Sequence, residues 1–113
     1  MGASANPERY SYLALHDLLA YGHPVVAVGK SGGMQEGITI HKEPVAEENI
    51  DTVTLYLNPA HQKQYYEYIL SLRPKRIIFN PGTENRELAK IAEQAGIQPV
   101  IACTLVMLRS GLY

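Results

Sequence analysis

Gly2-Ala3-Ser4-Ala5-Asn6-Pro7 opens this 113-residue chain and runs straight into a helical pattern. A glycine-bearing loop feeding a helix is how a mononucleotide-binding α/β domain cradles a phosphate. The first helical amides point at the ligand, and the helix dipole favours its negative charge. Gly2 permits close backbone approach beside Ala3, Ser4 and Asn6 offer hydrogen-bonding side chains, and Arg9 adds a charge. One glycine is not the G-x-G-x-x-G fingerprint, so the loop alone is a weak signal. Such a loop ordinarily follows a buried strand. The sequence as given starts at the loop, and we expect the central strand of the domain to be missing from it.

Outward from this loop, strands and helices alternate. Arg9 to Tyr21 reads as a helix with an apolar stripe of Leu13, Leu15, Leu18 and Leu19, closed by Gly22. Pro24-Val25-Val26-Ala27-Val28 reads as a strand buried on both faces, with Gly29-Lys30-Ser31-Gly32-Gly33 as the loop at its end. Ile38-Thr39-Ile40 reads as a small irregular strand, and Thr52 to Leu57 as the next regular one. Asn58-Pro59 supplies an N-cap and a proline at the first helical position of a helix reaching about Leu72. Arg76 to Phe79 is a strand, Asn80-Pro81-Gly82-Thr83 a loop, and Glu87 to Gln94 a helix closed by Gly96. Pro99 to Ala102 is the last strand and Thr104 to Ser110 a short final helix. Strand, loop and helix repeated with short links specify an α/β fold: a doubly wound parallel sheet with helices on both faces, three layers in all. We expect a single domain over residues 1–113.

Bulk properties narrow the function classes. A net charge of −1 argues against nucleic-acid and anionic-membrane partners, which call for a clustered basic face. No apolar run approaches the ~18 residues that span a bilayer. A single cysteine, Cys103, excludes an internal disulfide framework and suits a reducing, cytoplasmic setting.

In an open parallel sheet, ligands bind beyond the carboxyl ends of the strands. The loops there are Gly2–Ser11, Gly29–Gly33, Leu57–His61 and Asn80–Asn85. NAD-binding domains usually place an acidic residue after the second strand to hold both ribose hydroxyls. Here Lys30 and Ser31 stand there, and a cation favours a ribose phosphate, as in NADP or the 3′-phosphate of coenzyme A. Asn58-Pro59 and Asn80-Pro81-Gly82 repeat a turn chemistry that can line a pocket as well as cap helices.

Catalytic machinery is not apparent. Cys103 is flanked by apolar residues and reads as a core side chain; His16, His23, His41 and His61 share no ligand spacing, so no metal site is expected. Tyr65, Tyr66 and Tyr68 crowd one helix as amphipathic packing, and no Ser-His-Asp set or carboxylate pair stands at useful spacing.

The run Gly2-Ala3-Ser4-Ala5-Asn6-Pro7-Glu8-Arg9-Tyr10-Ser11 resembles the first loop of the small stand-alone CoA-binding proteins, which are similar to the CoA-binding domain of the succinyl-CoA synthetase alpha subunit. Asn80 to Asn85 and the ending Ala102 to Leu108 resemble later loops of the family, so the likeness covers essentially the whole chain. The resemblance implies a Rossmann-like fold with strand order 3-2-1-4-5 and coenzyme A across its carboxyl edge. It implies that Gly2, Ser4 and Arg9, Tyr10 and Ser11 hold the pyrophosphate, that Lys30 meets the 3′-phosphate, and that Asn58, Pro59, Asn80, Pro81 and Gly82 border the rest. The family carries an apolar first strand before this loop, which reinforces the expectation of a missing strand of about 5–6 residues. The phosphorylated histidine of the synthetase belongs to a separate domain.

The leading expectation is a non-catalytic module that binds coenzyme A or an acyl-CoA, without a metal, and leaves room for a protein partner or a second copy. One alternative is a small NADP-linked oxidoreductase with Tyr10 or Tyr12 as proton donor. The other is a protein-interaction scaffold with a vestigial nucleotide pocket.

Overall fold

The structure, a computed structural model, describes residues 1–113. The chain divides into two units, Met1–Val45 with Thr104–Tyr113, and Ala46–Cys103.

In the first unit the helical pattern becomes α1, Tyr10–Ala20. Its buried face is Ser11, Ala14, Leu15, Asp17 and Leu18, positions three and four apart that share one side of a helix. Leu13, expected on this stripe, is instead 38% exposed. The helix stops at Gly22, whose φ of +85° is the left-handed conformation that glycine adopts without penalty. Gly22 N donates to Leu19 O and His23 N to Leu18 O, satisfying the last carbonyls.

Three short strands follow: β1 (Ala27–Val28), β2 (Gly33–Gln35) and β3 (Ile38–His41), in the order β1-β3-β2. β3 runs parallel to β1, with Ala27 opposite Ile40, and antiparallel to β2. The apolar run 24–28 gives a strand of only two residues, which corrects the longer strand expected there, and the small strand expected at 38–40 is β3, one arm of an antiparallel hairpin with β2. Its two-residue turn, Glu36 (φ 49°) and Gly37 (φ 81°), has positive φ at both positions, the geometry that matches strand twist. A core cluster of Leu15, Ala27 and Ile40 is flanked by Ala3, Leu19, Val25 and Ile38. The last helix, α5 (Thr104–Ser110), packs on α1. Arg109 Nε donates to Asp17 Oδ2 at 2.9 Å across that contact.

The second unit is a parallel sheet, β4 (Thr52–Leu55), β5 (Arg76–Phe79) and β6 (Gln98–Ile101), in that order. Leu55, Phe79 and Ile101 stand in register, so the three strands end flush. On β5, Ile77, Ile78 and Phe79 are all buried. Burial at consecutive positions means that both faces of the strand are covered, since successive side chains point to opposite sides. Pro99 sits on the edge strand β6, where the loss of an amide donor is tolerated. The helix expected over 59–72 is interrupted: α2 (Pro59–Gln62), one 3₁₀ turn (Lys63–Tyr65) and α3 (Tyr66–Ser71). The tightened turn lies between Gln62 and Tyr66, both pinned to the side chain of Asn85. α4 (Arg86–Gln94) completes the unit. Parallel pairing with helical connections makes this a mixed α/β fold.

Candidate nucleotide-binding loops

The first loop is built by its own atoms. Gly2, at φ +90°, and Ala3 both donate their amides to Val28 O, at 2.9 and 3.0 Å, which ties the loop to the end of β1. The contact is possible because residue 29 has no side chain. A Cβ placed on Gly29 would lie 2.0 Å from Ala3 O and 2.8 Å from Ala3 C. Gly29 is needed for space, not for a positive φ.

Beyond Ala3 the side chains turn inward on the loop. Ser4 Oγ accepts from Asn6 N at 3.1 Å, and Asn6 Oδ1 accepts from Glu8 N at 3.0 Å. Asn6 O takes Arg9 N. These are the local turns by which Ser and Asn stand in for backbone partners. Ser4 and Asn6, expected as hydrogen-bonding side chains for a ligand, each use an acceptor oxygen to shape the loop. The amides of Tyr10 and Ser11 precede the first intrahelical bond of α1. Ser11 itself is buried, whereas Arg9 and Tyr10 are exposed. Lys30 and Ser31 occupy the two central positions of a turn closed by Gly32 N donating to Gly29 O at 3.0 Å. Both are exposed. Gly2, Ala3, Ser4 and the Lys30–Ser31 turn are thus brought to one place, the end of β1.

In the second unit the candidates sit at the ends of two adjacent strands. Asn58 Oδ1 accepts from His61 N at 3.1 Å and caps α2, with exposed Pro59 at the first helical position. Asn80 is 1% exposed; its Nδ2 donates to Thr54 Oγ1 and Leu55 O, at 2.7 and 2.8 Å. Its side-chain amide welds the start of the loop to β4, so a ligand could meet only the turn beyond it. That turn is Asn80-Pro81-Gly82-Thr83, closed by Thr83 N donating to Asn80 O at 2.9 Å. Gly82 has φ +88° after a proline, the type II arrangement. Pro81 and Gly82 are exposed at the tip.

Sequence reasoning missed Gln62 and Asn85. Gln62 is fully buried, and its Nε2 donates to Leu57 O and Thr83 O, both at 2.8 Å. Asn85 Nδ2 donates to Gln62 Oε1 at 2.9 Å and to Tyr66 Oη at 2.8 Å, while its Oδ1 caps α4 at Leu88 N. Burial, with a counter-push from the Asn85 bond and a further rise from the hydrogen bond and charge of Glu87, moves the Tyr66 hydroxyl above its ordinary value near 10. A polar residue between two prolines' loops was the available signal for Gln62, and it reads equally well as surface. No three His, Cys, Asp or Glu side chains group as metal ligands, and no helix is long and apolar enough to cross a membrane.

A strand-end loop feeding a helix, in an α/β fold with parallel pairing, is the arrangement by which mononucleotide-binding domains cradle a phosphate. Residues 1–109 match the sequence pattern of the CoA binding domain, and the chain belongs to that family. Its fold is accordingly Rossmann-like. A crystal structure of an uncharacterized protein is 53% identical, with a TM-score of 0.97 over 99% of this chain and 93% of that one. A hypothetical protein from Pyrococcus horikoshii is 27% identical, with a TM-score of 0.86 over 98% and 79% of the two chains. A Thermus thermophilus structure shares the fold at 23% identity, with a TM-score of 0.87 over 100% and 87%. No curated protein matches the chain.

Proposed function

We propose that this chain binds coenzyme A or an acyl-CoA as a non-catalytic module of a reducing, cytoplasmic compartment, with a small molecule rather than nucleic acid or membrane as its partner. The observation that carries the reading is the first loop. Its side-chain oxygens shape the turn, which presents the backbone amides at the start of α1 to a diphosphate, in a chain whose family is defined by coenzyme A. Lys30 and Ser31, exposed on the neighbouring turn, are the groups for the 3′-phosphate. Within the second unit, Asn58, Pro59, Pro81 and Gly82 are the candidate ligand contacts at the strand-end loops, and Asn80 holds the 80–83 turn from beneath. Tyr10 and Tyr12 are not assigned a chemical step.

Isothermal calorimetry against coenzyme A, dephospho-CoA and NADPH tests this. Coenzyme A binds most tightly, and Lys30→Ala weakens it roughly ten- to a hundredfold while barely changing dephospho-CoA, the worth of one charge-assisted hydrogen bond. Equal losses for both ligands remove Lys30 from the 3′-phosphate. A preference for NADPH replaces the module with a reductase, and no binding at millimolar coenzyme A removes the ligand altogether.

A further inference from the structure

Gln62 touches two loops that carry proposed ligand contacts and exposes nothing of itself. Its two Nε2 hydrogens go to Leu57 O, the residue before Asn58, and to Thr83 O, the residue after Gly82. Its Oε1 takes a hydrogen from Asn85 at the other end of the 80–85 loop. Both its hydrogens and its oxygen are therefore engaged, at three points of the two loops. An amide is the one side-chain group that can donate twice and accept at the same place. Gln62 is 0% exposed and its bond to Thr83 O is buried, so water does not replace it there.

We propose that Gln62 is a positioning residue that sets the 57–59 and 80–83 loops at the spacing the ligand requires. This rests on the coenzyme A reading given above. Glu at this position keeps the size and the oxygen facing Asn85 but turns an oxygen toward two carbonyl oxygens. Met keeps the shape and removes the bonds without adding charge.

The test combines hydrogen exchange at Thr83 N with coenzyme A affinity in Gln62→Glu, Gln62→Met and the exposed-site control Gln64→Ala, each well below its thermal midpoint. Both Gln62 variants speed Thr83 exchange and weaken coenzyme A roughly ten- to a hundredfold, while exchange at Ile77, Ile78 and Phe79 stays as in the unsubstituted chain. Gln64→Ala changes neither. A lower midpoint with unchanged loop exchange and unchanged affinity overturns the proposal, because Gln62 then only stabilises the fold. Should Gln62→Glu not fold, Gln62→Met decides the matter alone. Should the unsubstituted chain bind no coenzyme A, the functional reading fails and loop exchange by itself decides whether Gln62 positions the loops.

Discussion

The two units place their strand-end loops by opposite means. In Met1–Val45 with Thr104–Tyr113, the first loop is held by backbone bonds to Val28 O, and the enabling feature is a side chain that is absent, at Gly29. In Ala46–Cys103, the loops are held by side chains that are present and fully buried, Gln62 and Asn80, with Asn85 joining them. A glycine contact is unforgiving, since any Cβ collides with backbone that has nowhere to rotate. An amide network is graded, since each bond can be removed singly. The first arrangement fixes one distance; the second fixes several and couples them.

Substitution at Gly29 is the largest expected blow. Gly29→Ala drives a Cβ into Ala3 O and forces the loop off Val28 O. Overpacking at 1–3 kcal/mol with two backbone bonds lost predicts a drop of about 2–4 kcal/mol in unfolding free energy. Urea denaturation measures it. Gly22→Ala sharpens the point: Gly22 has φ +85° with nothing within 4 Å of a new Cβ, so only conformational strain of about 1–2 kcal/mol applies. Equal losses at the two glycines would mean that the Ala3 contact is not tight.

Asn85→Ala comes next. It removes the α4 cap, about 1 kcal/mol, and leaves the Gln62 oxygen without its donor, for a total of about 2–3 kcal/mol. Asn85→Asp retains the capping oxygen and recovers part of the loss. A double-mutant cycle between positions 62 and 85 yields a coupling of about 0.5–3 kcal/mol if the network acts as a unit; strict additivity would reduce it to independent caps.

How much of this was legible in the sequence follows from the same contrast. The strand-loop-helix order and the cap Asn58 can be read locally, because they depend on residues one to four apart. The first loop was found, but the turn bonds of Ser4 and Asn6 were not, since a side-chain oxygen that serves a ligand looks the same in sequence as one that serves a turn. The β2–β3 hairpin was missed because Glu36 lacks the Asn, Asp or Gly usual at its positive-φ position. Gln62 binds Thr83, 21 residues away, and Gly29 answers to Ala3, on a segment before α1. Neither partnership has a periodicity to reveal it.

The smallest effect lies at the rim of the amide network, where Tyr66 is half-buried. Burial first, then the bond and charge of Glu87, hold its hydroxyl protonated above the ordinary value near 10, against the opposing bond from Asn85. The folded state therefore keeps a proton that the unfolded chain releases. By linkage, the stabilisation this affords is complete below about pH 10 and fades as pH climbs through the raised folded value. Tyr66→Phe cannot ionise, so the difference in stability between the unsubstituted chain and Tyr66→Phe should be level from pH 7 to 9 and shrink above 10. Denaturation curves across that range measure it. A difference that stays level, or widens, would place the Tyr66 hydroxyl in water and outside the network, leaving the loops to Gln62, Asn80 and Asn85.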